Sequence, residues 1–186
     1  MRYRRVRIDG GTYFFTVVTD RRAPILCTPS SRKFLREAIQ ACQAEYPFEM
    51  SAVVLLPEHL HALWVLPSGD CDFSKRWAII KRTFTESYLA NGGREQRVTK
   101  GRQRQGRRGV WQPRFWEHMI RDETDYERHF DYIHYNPVKH GHVTRPQDWK
   151  WSTFHRWVGE GVYPIDWACA TDDKWSFKEI VDVVGE

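Results

Sequence analysis

The stretch "PEHLHALWVLP" sets His59 and His61 two residues apart in an otherwise apolar run. In an extended chain residues i and i+2 share a face. Both imidazoles therefore point the same way, while Leu60 and Ala62 turn toward a core. Two neutral imidazoles with Cβ atoms about 7 Å apart can converge on one cation. The same pair also suits a polar surface, so a third ligand is needed to decide. Glu58 next to His59 is either a hydrogen-bond partner for a ligating imidazole or an exposed turn acid.

The segment "DYERHFDYIHYNP" offers that third group. Tyr126, Phe130 and Ile133 follow i, i+4, i+7 and should face the core of a helix. Measured from that direction, Tyr132 and Asn136 lie together on one flank, four residues apart, with His134 off the buried stripe and Tyr135 nearly opposite the core. A phenol can act as a nucleophile, and an amide carbonyl oxygen can ligate a hard cation. The plainer roles stay open: Asn136 as a helix stop before Pro137, and Tyr132 as a packing ring.

These groups need elements to carry them. "GGTYFFTVVT" predicts a strand over Thr12 to Thr19. "SSRKFLREAIQACQAEYP" has helical spacing, a serine at its start and Pro47 after it. "FEMSAVVLLP" and "HLHALWVLP" read as an antiparallel hairpin turning at Pro57-Glu58. A second helix carries the stripe Phe73, Trp77, Ile80, Phe84 and Tyr88, and Asn91-Gly92-Gly93 stops it. "VWQPRFWEHMI" reads as a fourth strand with a bulge or edge at Pro113. The third helix starts at an Asp122 cap and ends at Pro137. The order is that of an α+β, ferredoxin-like βαββαβ core with one added helix. Two helices would cover one sheet face and leave the other for a ligand or for the third helix.

At 186 residues with 41% hydrophobic composition, the chain fits one domain with appendages. We place the core domain at 1–145 and an aromatic tail at 146–186, which holds five of the nine tryptophans and should pack on the core. Residues 92–109 carry seven Lys/Arg and one Glu with no large apolar residue but Val98, so they should form a flexible surface insert. The net charge is +5 and favours an anionic partner. Candidate phosphate contacts are the N-terminal Arg2, Arg4, Arg5 and Arg7; Arg21 and Arg22; Lys75, Arg76, Lys81 and Arg82 on the second helix; and Arg104, Arg107 and Arg108 in the insert. Tyr3 or Trp116 could stack on bases, although core packing suits Trp116 better, and His118 reads as a satisfied core histidine. The four cysteines are too scattered for a zinc knuckle or a disulfide framework and suggest buried thiols in a cytoplasmic protein. No apolar run is long enough for a membrane span, and the first residues do not read as a signal peptide.

"HLH" following an apolar strand resembles the HUH (His-hydrophobic-His) motif of single-strand DNA endonucleases, and "DYIHYNPVKHGHV" resembles the single-tyrosine transposases. With "WQPRFWEHMIRDETDY" and "WKWSTFHRWV", the motifs together resemble the transposases associated with repetitive extragenic palindromes (REP). The resemblance implies cleavage of single-stranded DNA beside a palindromic hairpin through a 5′-phosphotyrosine, with Mg²⁺ or Mn²⁺. His59 and His61 would be the HUH pair, Tyr132 the nucleophile, and Asn136 a metal ligand where related insertion-sequence enzymes usually have the longer Gln. Those relatives exchange the tyrosine helix as dimers; a tail covering that surface would favour a monomer. Two other classes remain open: a metal phosphodiesterase in which Tyr132 only packs, and a palindrome-binding regulator without cleavage.

Overall fold

β1 (Thr12–Val18) is aromatic and β-branched along its whole length, and six of its seven residues are buried. In the computed structural model, which describes residues 7–169, it lies inside a four-stranded sheet. β3 (His59–Val65) pairs with it antiparallel from Thr12↔Val65 to Val18↔His59. β4 (Trp116–Met119) pairs along its other side, and β2 (Glu49–Leu55) pairs with the far side of β3, giving the order β2-β3-β1-β4. Every neighbouring pair is antiparallel, and the succession β-α-β-β-α-β matches the expectation. β4 is shorter than expected. It begins after Pro113, which cannot donate to a ladder, and Trp111 instead makes an isolated bridge with Thr19.

Alternation sends Tyr13, Phe15, Val17, Leu60, Ala62 and Trp64 to one face. Two helices cover that face. α1 (Pro29–Glu45) is capped by Thr28, not by the serines that follow: its hydroxyl accepts from the Ser31 amide at 3.2 Å. α2 (Phe73–Ala90) is capped by Asp72, which accepts from the Lys75 amide at 3.1 Å. Trp64 and Trp77 stack at 4.2 Å in this layer. Arg76 is not a phosphate contact. It is 2% exposed and donates to Asp70 and to the carbonyls of Tyr46 and Pro47, pinning α2 to the turn after α1.

The opposite face carries Phe14, Ala52, Val54 and Leu63 under a helix that runs from Glu123 to Lys139. The residues between α2 and that helix include α3 (Lys100–Arg104), so the long helix is α4. Pro137 does not end α4. The helix continues one turn and closes at Gly141, whose φ of 68° lets the His142 amide reach the Pro137 carbonyl at 2.9 Å and its own amide reach Val138 at 2.9 Å.

After α4 the chain crosses to the outer edge of β2. Leu55 N donates to Trp151 O at 2.8 Å and Thr153 N to Val53 O at 2.9 Å. The indoles of Trp149 and Trp157 donate to Leu55 O and Ser51 O, and α5 (Phe154–Gly159) follows. The insert is not without structure. Glu95 grips Arg108 and the Gly109 amide, and Gln96 N meets Gly109 O at 2.7 Å, an approach so close that a Cβ at 109 would collide with Gln96. All four cysteines are free, but only Cys42 is buried. Among the described residues no helix is long and apolar enough to cross a membrane. Arg2, Tyr3, Arg4, Arg5 and Trp175 lie outside the described residues.

Candidate active site

The hairpin between β2 and β3 brings His59 and His61 onto the α4 face, where both are fully buried and their rings stand 4.9 Å apart, edge to face. Each ring is held through Nδ1. His59 Nδ1 lies 2.9 Å from Glu58 Oε1. His61 Nδ1 lies 3.0 Å from the hydroxyl of Thr16, its cross-strand partner on β1. Nδ1 is thus engaged in both, and Nε2 is the nitrogen each would offer to a cation. Hydrogen bonding from His59 lowers the Glu58 carboxyl below the usual carboxylate range, against the opposing effect of burial, and Arg22 stands 3.8 Å away. Glu58 is therefore engaged with His59 rather than being a free turn acid.

α4 supplies the other half. The Tyr132 ring centre lies 5.4 Å from that of His61 and 6.0 Å from that of Phe14. Tyr132 is fully buried, as is Asn136 one turn further along the same helix face. The Lys139 ammonium donates to the Tyr132 hydroxyl at 2.7 Å. The His140 ring comes within 5.1 Å of that of His59. The phenol and the imidazole pair, distant in sequence, are on one side of the sheet. The expected flank of α4 is thus an interior surface, where the Tyr132 ring packs near His61 and its hydroxyl accepts from the Lys139 ammonium.

Sequence spacing missed Thr16, Lys139 and His140. Lys139 is seven residues after Tyr132, two turns along the same face, but a helix ending at Pro137 hides that relation. Spacing also puts His134 off the buried stripe, whereas it is fully buried. Its Nε2 meets Thr153 Oγ1 at 2.9 Å and its Nδ1 meets the Tyr163 hydroxyl at 3.3 Å, because the tail forms a second layer against α4. Burial pushes His134 down to about 3. Tyr163 also donates to Asp131 at 2.5 Å.

A separate cluster joins β4 to the first turn of α4. His118, Asp125 and His129 place ligand atoms within 4.8 Å of one another. The Asp125 carboxylate already accepts from His118 Nε2 at 2.8 Å, from the Arg121 amide at 3.0 Å and from Arg121 Nε at 3.2 Å. Burial would raise Asp125, but these donors outweigh it and hold the carboxyl at about 2. Three protein donors already converge on its Oδ2, so we read the cluster as a strut between β4 and α4, with His118 a satisfied histidine.

The basic candidates divide. Arg7 lies beside Asp72 and Ser74 at the start of α2. Arg21 donates to Arg97 O and Arg22 approaches Glu58. Arg104, Arg107 and Arg108 are exposed, with Arg108 paired to Glu95, while Lys81 is half-buried and donates to Gln112 O at 2.6 Å.

No family model matches the chain. It is 49% identical over 167 residues to a REP-associated tyrosine transposase of Escherichia coli K12, covering 89% of this chain and 90% of the relative. It is 44% identical over 172 residues to a Haemophilus influenzae protein carrying the same family name, covering 92% of this chain and 96% of that one. A solved structure of a REP-associated tyrosine transposase bound to a REP hairpin superposes with a TM-score of 0.75 at 48% identity, over 93% of this chain and 94% of that one. Identity at this level across nearly the whole length, on a fold that brings the tyrosine to the paired histidines, makes this chain a member of the REP-associated tyrosine transposases.

Proposed function

We propose that the chain cleaves and rejoins single-stranded DNA beside a REP-type hairpin, with Tyr132 as nucleophile. The observation that carries this reading is the approach of the Tyr132 ring to His61, 5.4 Å between centres. In the step, the phenolic oxygen forms a bond to phosphorus and the P–O3′ bond breaks. The 3′ oxygen leaves as a hydroxyl, and the proton lost by the phenol balances the one it gains. The ester energy stays in the 5′-phosphotyrosine, so a 3′-hydroxyl can reverse the step and join strands. Lys139 stabilises negative charge on the attacking oxygen, to which it already donates. Because Tyr132 is fully buried, side chains over it must move before a phosphate reaches its oxygen.

A divalent cation fits the residues present. His59 and His61 offer imidazole nitrogen and Asn136 an amide oxygen, a mixed set that accepts Mn²⁺ or, with bound water, Mg²⁺. The Glu58–His59 hydrogen bond is the carboxylate–imidazole arrangement that orients ligating histidines. When bound, such an ion supplies Lewis-acid charge at the scissile phosphate. The solved relative holds a REP hairpin, and we take a DNA hairpin with a single-stranded flank as the substrate class. With the tail along the β2 edge, we propose that the chain acts as a monomer in the cytoplasm.

The test is a denaturing gel after incubation with a labelled single-stranded hairpin and Mn²⁺. A covalent protein–DNA band that is absent in Tyr132→Phe is the expected result. Cleavage without the band would make the chain a phosphodiesterase, and hairpin binding with neither would make it a regulator.

A further inference from the structure

A cavity of about 960 Å³ lies between α2 and the chain from Arg102 to Phe115. It belongs to the sheet face of Trp77 and Trp111, away from Tyr132. Lys81, Arg82, Arg102, Arg107 and Arg108 line it, against one acid, Glu86. Two of the five cations are balanced nearby: Arg102 by Asp20 at 3.3 Å and Arg108 by Glu95 at 2.7 Å. Arg82 and Arg107 are exposed and take no carboxylate partner among the described residues.

Lys81 is the unusual member. It is half-buried at the wall of the cavity, with its ammonium on Gln112 O and 6.0 Å from the centre of the Trp111 ring. Arg102 and Arg107 from the insert face it. Burial first, and then these two guanidiniums, push it down to about 8. A half-desolvated ammonium facing two like charges is unfavourable unless an anion enters between them. Guanidiniums match phosphate oxygens in pairs. The lining on α2 runs from Ser74 to Ala90. At 1.5 Å per residue that is about 24 Å, the length of about seven nucleotide steps at 3.4 Å each, so a free mononucleotide would fill only part of it.

We propose that this cleft is a second DNA-contact site, seating the phosphodiester backbone of the bound DNA on the sheet face opposite Tyr132. The proposal rests on the reading that the chain acts on DNA. The occupied cleft neutralises Lys81, Arg82 and Arg107 together and uses the insert as its outer wall. Lys81 then binds a proton more tightly in the complex than in the free protein. Affinity therefore falls as pH rises through the free-state value near 8. The charges that set this dependence are Arg102 and Arg107 of the insert, Arg82 and Glu86 on α2, and Arg108 with its partner Glu95.

Equilibrium binding of a fluorescent DNA hairpin with a single-stranded flank, titrated with salt, tests the proposal. For Arg82→Gln with Arg107→Gln, the slope of log K against log salt should shrink by about 1.4–1.8, at about 0.7–0.9 for each phosphate left without its cation, with affinity down at least tenfold. Both residues are exposed, so this pair tests the cleft even if Lys81→Met fails to fold. In the wild type, affinity should drop several-fold from pH 7 to pH 9; Lys81→Met should remove that dependence and Lys81→Arg should remove it while keeping the slope. An unchanged slope in the double variant overturns the cleft. So does binding of inorganic pyrophosphate that the double substitution abolishes while hairpin affinity and its salt slope stay as in the wild type. Wild-type adduct formation is scored in parallel on the same DNA. An adduct with an unchanged slope removes the cleft and leaves Tyr132 as nucleophile. A reduced slope without an adduct supports the cleft and removes the transfer reading.

Discussion

Lys139 changes what Tyr132 can do. An ammonium 2.7 Å from the phenolic oxygen favours the charge that nucleophilic attack requires. Lys139→Met should slow single-turnover adduct formation by about 10²-fold, the typical cost of losing one such donor. Hairpin affinity should stay within a few-fold, and Lys139→Arg should recover part of the rate. A rate equal to wild type in Lys139→Met would remove the role. Strand alternation put His59 and His61 on one face, and helical spacing put Tyr132 with Asn136 on one flank, but only the family resemblance joined them into one site. Lys139 and His140 were not, because Pro137 reads as a stop while the structure carries the helix past it. Thr16 was not, because its partnership with His61 is a matter of register between β1 and β3, which neither strand's pattern specifies by itself.

At the scale of elements, α4 is clamped from two sides, and His134 measures the second clamp. Its ring is buried and neutral between Thr153 and Tyr163. The folded value is about 3 against an ordinary value near 6.5. Between those values the unfolded chain binds the extra proton, so stability falls as pH is lowered through that window. The loss approaches about 4 kcal/mol by the lower end, an upper figure. Urea midpoints at pH 6.5, 5.5 and 4.5 should fall steadily for the wild type and less steeply for His134→Leu; parallel curves would place the pH dependence elsewhere. Glu58 and Asp125, both lowered in the folded state, add losses in the same direction at lower pH. The three-residue stripe Tyr126, Phe130 and Ile133 predicted a face on which Phe130 and Ile133 are buried and Tyr126 is half-buried. It could not report a second layer made by residues 149–163, since periodicity sees only how many faces are apolar and His134 is not apolar.

For the whole molecule, the succession of strands and helices followed from pattern and the packing of the tail from its tryptophans, whereas the structure of the insert did not. Composition predicted a flexible insert because it lacks apolar residues; what organises it is a carboxylate, Glu95, holding Arg108 and Gly109. The tail shares its aromatic cluster with β2 and α4, through Phe130, Phe154, Trp157 and Tyr163. It should therefore melt with the sheet. Trp157→Ala, which also loses the bond to Ser51 O, should lower stability by about 3 kcal/mol in one cooperative transition. Separate midpoints for tryptophan fluorescence and far-ultraviolet circular dichroism would make the tail an independent unit. The strip from Trp151 to Thr153 has one more effect. It pairs the main-chain amide and carbonyl of Val53 and the amide of Leu55 on the outer side of β2, while the Trp149 indole takes the Leu55 carbonyl. At the opposite border β4 presents only four residues. Stacking of sheets edge to edge, the ordinary route from an open four-stranded layer to fibrils, is thereby blocked at one border and left little purchase at the other.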